Sequence, residues 1–115
     1  MDDKRKFPRA VYPCSLTIWQ ENRFEAILAH TTNIGTGGFL VYLNQRLTVG
    51  VKVEVKIDFL KGTFLKCFGS VLRCEENKNK LYGVVIVFEG LSESQTIYLQ
   101  GLVAELINSE NKKDC

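Results

Sequence analysis

Residues 52–59, Lys-Val-Glu-Val-Lys-Ile-Asp-Phe, alternate polar and apolar without a break. Successive side chains of an extended strand point to opposite faces, so this pattern buries one face and solvates the other only as a β-strand. A strand buried on one face needs partners. The sequence offers five more β-like segments, at 11–19, 24–31, 39–43, 63–74 and 81–88. Pro13 cannot donate to a ladder, so the first of these is expected at an edge or starting late. Gly69 is expected to mark a bulge or a corner in the long fifth segment. The last segment is apolar on both faces and reads as a central strand. Trp19 is expected to join the packing between strands.

The period changes after Gly90. Ser92-Glu93-Ser94-Gln95 fits a capping box, a hydroxyl at the N-cap with Gln three residues on. Beyond it Tyr98 or Leu99, then Leu102, Val103, Leu106 and Ile107 recur at helical spacing, which predicts an amphipathic helix whose stripe Leu99, Leu102 and Leu106 reads as core, with a dimer seam as the other use of such a stripe. The predicted fold is mainly β: a six-stranded antiparallel barrel or split barrel with a C-terminal helix laid against it. A barrel removes the exposed edges that so many strands would otherwise present. The expected division is an N-terminal arm over 1–10, mobile when free, a barrel and helix over 11–107, and a polar tail over 108–115.

Composition narrows the function. The chain has 115 residues, enough for one domain, with a net charge of +2. That balance gives no support to a protein that coats a nucleic-acid polymer or a membrane surface, and it leaves room for a small anionic ligand. The first six residues are mostly charged and no apolar stretch follows them, so no secretory signal and no membrane insertion are expected, and the cytosol is the expected location. The cysteines, Cys14, Cys67, Cys74 and Cys115, form no C-x-x-C pair, and His30 is the one histidine. No metal site follows from these, and the cysteines read as small core residues, with Cys115 an exposed thiol. A lone histidine and the lack of any nucleophile motif such as G-x-S-x-G argue against an enzyme.

Two clusters can hold an anion. Arg5 and Arg9 sit four apart around Pro8, preceded by Lys4. An arginine fork meets a phosphate bidentately, or the O6/N7 edge of guanine. Asn33-Ile34-Gly35-Thr36-Gly37-Gly38 reads as a glycine-rich bend with room for positive φ and for close backbone approach. Each cluster also has a plainer reading, a solubilising tail and a hairpin loop respectively.

Their order and spacing resemble the PilZ domain family. Arg5 and Arg9 match that family's R-x-x-x-R, and Asn33 and Gly38 match its [DN]-x-S-x-x-G. Val71-Leu72-Arg73 looks like its strand ending in V-x-R. The segment from Tyr82 to Phe88 looks like its G-x-x-F strand with one extra residue. The resemblance runs from Lys4 to Ile107. Gly35 departs from the pattern, since the family usually has serine there, and Thr36 next to it points differently in an extended chain. The resemblance implies a free-standing receptor for the second messenger cyclic di-GMP, without a further cofactor, that signals to an effector protein by changing shape, as monomer or homodimer. It implies a ligand set of Arg5, Arg9, Asn33, Gly35 and Gly38, with Lys4, Thr36 and Arg73 at its margin. Arg73 equally fits a solvated strand end. The alternatives are an adaptor of the same fold that binds no cyclic dinucleotide, and a barrel that binds single-stranded nucleic acid. The latter needs aromatic and basic residues interleaved on one face. Lys52, Lys56 and Lys66 are candidates for it, but Glu54 and Asp58 share the Lys52 and Lys56 face.

Overall fold

The computed structural model describes residues 9–113. All six predicted strands are present, and a short seventh precedes them. The elements are β1 (Arg9–Ala10), β2 (Ser15–Gln20), β3 (Ile27–Gly35), β4 (Gly38–Leu43), β5 (Lys52–Asp58), β6 (Phe64–Glu76), β7 (Tyr82–Glu89) and the helix α1 (Glu93–Lys113). A 3-10 turn at Leu60–Gly62 links β5 to β6. The sheet order is β1-β3-β2-β5-β6-β7-β4, and β3 also pairs with β4. That extra pairing closes six antiparallel strands into a barrel, with β1 added outside the ring on β3.

The alternation read at 52–59 holds. Val53, Val55 and Ile57 are buried, while Lys52 and Asp58 are exposed. β2 starts after Pro13, at Ser15, but it is not an edge, since β3 and β5 flank it. β6 pairs with β5 through residues 64–70 and with β7 through residues 68–76. Gly69 lies where the two pairings overlap, and no register shift falls at it. A Cβ at Gly69 would meet Ile86 Cγ2 at 2.7 Å and the Val87 carbonyl oxygen at 2.8 Å, which explains the glycine. The bulge falls instead between Val71 and Arg73.

The capping box forms as read. Gln95 N–H donates to Ser92 Oγ at 3.1 Å, and Ser92 N–H donates to Gln95 Oε1 at 3.0 Å. Leu99, Leu102, Val103 and Leu106 are buried with the barrel core, where each contributes on the order of 1.5–3 kcal/mol. The helix does not stop at Ile107. It runs on to Lys113, and the Val11 N–H donates to Glu110 Oε2 at 2.6 Å. The stretch read as a polar tail therefore holds the chain just after β1. Arg9–Ala10, the end of the expected arm, pairs with β3, and residues 1–8 of that arm lie outside the described residues.

Among the described residues Thr31 is the buried polar one, and its partners account for it. Its Oγ1 accepts from the Cys14 N–H at 3.0 Å and donates to the Tyr12 carbonyl at 3.3 Å. Burial pushes the Cys14 thiol up to about 11, against a smaller lowering by Thr31, and burial pushes the Cys67 thiol up to about 11 as well. Both read as core residues that stay protonated at neutral pH. Cys115 lies outside the described residues. Trp19 corrects the sequence reading: it is only half-buried and packs on the outside of the barrel, under Lys66.

Candidate functional site

Two β-bulges build the site. Along β3 the odd-numbered Thr31 faces the core, and along β6 Leu65, Cys67 and Val71 do the same. Regular alternation would bury Asn33 and Arg73 next. Register shifts between Thr31 and Asn33 and between Val71 and Arg73 insert one residue in each strand. An extra residue turns the following side chain to the other face. Ile34 and Cys74 then resume the inward positions, opposite Phe39 and Val84. Asn33 and Arg73 are delivered to the outside.

They arrive on one row. Asn33 pairs with Leu40, Leu40 with Val85, and Val85 with Arg73. Directly opposed residues share a face, so this line crosses β3, β4, β7 and β6 on the barrel's outer surface, spanning about 14 Å. Arg9 joins from β1, paired with Gly35. Around this row lies a cleft of about 620 Å³, lined by Arg9, Gly35, Thr36, Gly37, Gly38, Leu40, Tyr42, Arg73, Glu75 and Val85 among others. Arg9 and Arg73 are both exposed, and among the described residues neither has an ion pair.

The glycine-rich bend is shorter than its sequence suggests. β3 continues to Gly35 and β4 begins at Gly38, so Thr36 and Gly37 alone make the turn. Asn33 is a strand residue. Positive φ is not what the bend's glycines supply: the glycines with it are Gly50, Gly62 and Gly90. Gly38 is needed for close approach, since a Cβ there would run into the Ile86 carbonyl oxygen and stand 2.9 Å from Val87 Cα. That close packing draws the hairpin tip down against β7, where the Phe88 N–H donates to the Gly37 carbonyl at 3.0 Å.

Of the residues singled out by sequence, the structure brings Arg9, Gly35, Thr36, Gly38 and Arg73 to this cleft. Asn33 lies in the same row beside Leu40 but does not line the cleft. Its Oδ1 is buried and has no hydrogen-bond partner among the described residues. An unpaired buried acceptor is costly, of order 1–3 kcal/mol, so it calls for an explanation that barrel packing does not supply. Lys4 and Arg5 lie outside the described residues. Sequence reasoning missed Leu40, Tyr42, Glu75 and Asn77, which also line the cleft. Asn77 shapes its rim: its Oδ1 accepts from the N–H groups of Asn79 and Leu81 at 2.9 and 3.0 Å. Among the described residues no cluster of His, Cys, Asp and Glu is placed to hold a metal, and no helix is long and apolar enough to cross a membrane.

Solved structures with this fold include the inhibitor of motility MotI/DgrA of Bacillus subtilis, at 17% identity over 97% of this chain and 54% of that one, TM-score 0.78. The PilZ domain of YcgR from Escherichia coli, solved with c-di-GMP, is 12% identical over 97% of this chain and 98% of that one, TM-score 0.77. The MrkH–c-di-GMP complex of K. pneumonia is 12% identical over 98% of this chain and 56% of that one, TM-score 0.80. The chain thus spans about half the length of MotI/DgrA and MrkH. No curated protein matches it significantly in sequence. The family model described as PilZ domain matches residues 3–105, nearly the whole sequence, and with the closed barrel and terminal helix in place the chain belongs to the PilZ domain family.

Proposed function

We propose that this protein is a receptor for cyclic di-GMP that binds the dinucleotide in the cleft beside the Thr36–Gly37 turn and passes the signal to a protein partner without chemical turnover. The observation that carries this reading is the pair of bulges. Each turns one polar residue, Asn33 or Arg73, from the core side to the same outer row, and nothing in barrel packing requires either exchange.

The chemistry suits a compact dianion carrying two guanines. Arg9 and Arg73 offer guanidinium forks for phosphate oxygens or for the O6/N7 edge of a guanine. The unpaired Asn33 Oδ1 is an acceptor, and guanine offers N1–H and N2–H donors. The turn at Gly37 exposes backbone that a ligand can approach, since no atom stands within 4 Å of where its Cβ would be. Arg5 is proposed to add a second arginine from the N-terminal side, with Lys4 beside it. The complexes of YcgR and MrkH with c-di-GMP support the choice of ligand by kinship of fold.

Gly35 in place of the family's serine favours a second reading, an adaptor that works without the ligand. Isothermal titration of the intact protein with cyclic di-GMP separates the two. The receptor predicts saturable binding that Arg9→Ala and Arg73→Ala each weaken tenfold or more, because a charge-assisted hydrogen bond is worth about 1.5–3 kcal/mol. Absence of binding by the unaltered protein would leave the adaptor. The ligand recovered after incubation should be unchanged by chromatography.

A further inference from the structure

The cleft extends beyond the arginine row to a second row, Tyr42–Gly83–Glu75, one step along the strands. Rows on one face lie about 7 Å apart. Tyr42 lies over Gly83: a Cβ built there would stand 3.1, 3.6 and 3.7 Å from its ring atoms Cε1, Cδ1 and Cζ. A Cβ at 83 would require the ring to give by a few tenths of an ångström. Tyr42 is nevertheless 44% exposed, so part of the ring remains open to the cleft it lines. Other tyrosines are committed elsewhere. Tyr82 lies under Arg46, and Tyr98 donates to the Phe64 carbonyl. Among the described residues Tyr42 has no hydrogen bond and no ring partner. Across Gly83 from it stands Glu75, which also lines the cleft.

A large aromatic ring laid on bare backbone in an open cleft is a platform for a flat partner. A carboxylate in the same row, one strand beyond Gly83, selects which flat partner. It accepts two hydrogen bonds side by side, and guanine presents two adjacent donors, N1–H and N2–H, on its Watson–Crick edge. Adenine presents N1 as an acceptor there, so its lone pair would face the carboxylate. The negative charge also disfavours phosphate at this end and leaves it to the Arg9 and Arg73 end.

We propose that the Tyr42–Gly83–Glu75 row is a base-reading subsite, in which one guanine of the dinucleotide stacks on Tyr42 and donates N1–H and N2–H to the Glu75 carboxylate. This rests on the reading of the cleft as a cyclic dinucleotide site and adds the source of its selectivity for guanine. A site built to satisfy donors rejects the analogue that lacks them far more strongly than an apolar pocket does.

The test is titration of the unaltered chain, Glu75→Gln, Tyr42→Ala and Tyr42→Phe with cyclic di-GMP and with cyclic di-AMP. Glu75→Gln keeps the shape, and its amide can pair with the adenine N1 and N6 positions. The preference for cyclic di-GMP over cyclic di-AMP should therefore fall by about tenfold or more. Tyr42→Ala should weaken cyclic di-GMP by about fivefold or more, with Tyr42→Phe close to the unaltered protein, because the ring and not the hydroxyl makes the stack. An unchanged preference in Glu75→Gln, with cyclic di-GMP still bound, overturns the subsite and leaves the receptor standing. Failure of the unaltered chain to bind cyclic di-GMP overturns the receptor and the subsite together.

Discussion

Two faces of the barrel carry basic residues, and they differ in whether the charges are already used. On the outer face of β2, β5 and β6, each lysine covers an aromatic ring. Lys52 stands 4.8 Å from the Phe68 ring centre, Lys56 4.9 Å from Phe64 and Lys66 5.4 Å from Trp19. Two of them also meet a carboxylate, Lys56 with Asp58 at 3.8 Å and Lys66 with Glu54 at 3.7 Å. On the cleft face, Arg9 and Arg73 stand without an ion pair among the described residues. By count of cations and aromatics the lysine face is the richer, and it has the interleaving that single-strand binding asks for. Yet its rings are covered by ammonium groups and its ammonium groups by rings, each such contact being worth about 0.5–1 kcal/mol at an exposed site. A base would have to displace a partner to stack there. The location of charge in a sequence says less about binding than what the fold leaves unpaired.

The largest effect expected on the cleft face is structural. Gly38→Ala forces a Cβ into the Ile86 carbonyl, so β4 must part from β7, at a cost of up to about 3 kcal/mol as overpacking. Gly37→Ala, with nothing within 4 Å of its Cβ, should be nearly neutral. Thermal melts of the two variants test this, and equal melting temperatures would contradict the close-approach account of the hairpin.

Next come the arginines. Arg9→Ala and Arg73→Ala should each weaken cyclic di-GMP by about 1.5–3 kcal/mol and leave the melting temperature nearly unchanged. Lys66→Ala should show the opposite pattern, with unchanged binding and a stability loss of roughly 0.5–1 kcal/mol from the ring and ion-pair contacts. Calorimetric titration beside denaturant melts reads both, and a ligand affinity that follows Lys66 rather than Arg73 would reverse the assignment of the two faces.

A smaller effect is expected at Gly35. Gly35→Ser returns the hydroxyl usual in the family and should tighten cyclic di-GMP by about 0.5–1.5 kcal/mol, the worth of one ordinary hydrogen bond, whereas Gly35→Ala should not. Tightening by both would assign the gain to a stiffer free loop rather than to the bond.

Local pattern made the barrel legible, because period-2 alternation and a capping box are decided within a few residues. Residues 52–59 and Ser92 with Gln95 behave as read. What pattern missed depends on distant partners. Asn33 looked like part of a bend because three glycines follow it within five residues, but β1 on one side and β4 on the other extend β3 to Gly35. Residues 108–113 looked like a polar tail, yet the helix continues and Glu110 takes the backbone N–H of Val11. The bulges did leave a trace. Inward positions run Leu65, Cys67, Gly69, Val71 and then jump to Cys74, a change of phase that places Arg73 outside. The same jump from Thr31 to Ile34 frees Asn33. The Tyr42–Gly83–Glu75 row left none, since three residues spread over more than thirty positions become neighbours only through register.

The direct test of which face binds is an NMR titration of the intact, isotope-labelled protein with cyclic di-GMP, following backbone amides on both faces in one experiment. The account predicts that the amides of Gly35, Thr36, Gly37, Gly38 and Arg73 shift and saturate together, while those of Thr17, Lys56 and Lys66 stay in place. Saturating shifts confined to Thr17, Lys56 and Lys66, or no shift on either face at saturating ligand, would contradict it.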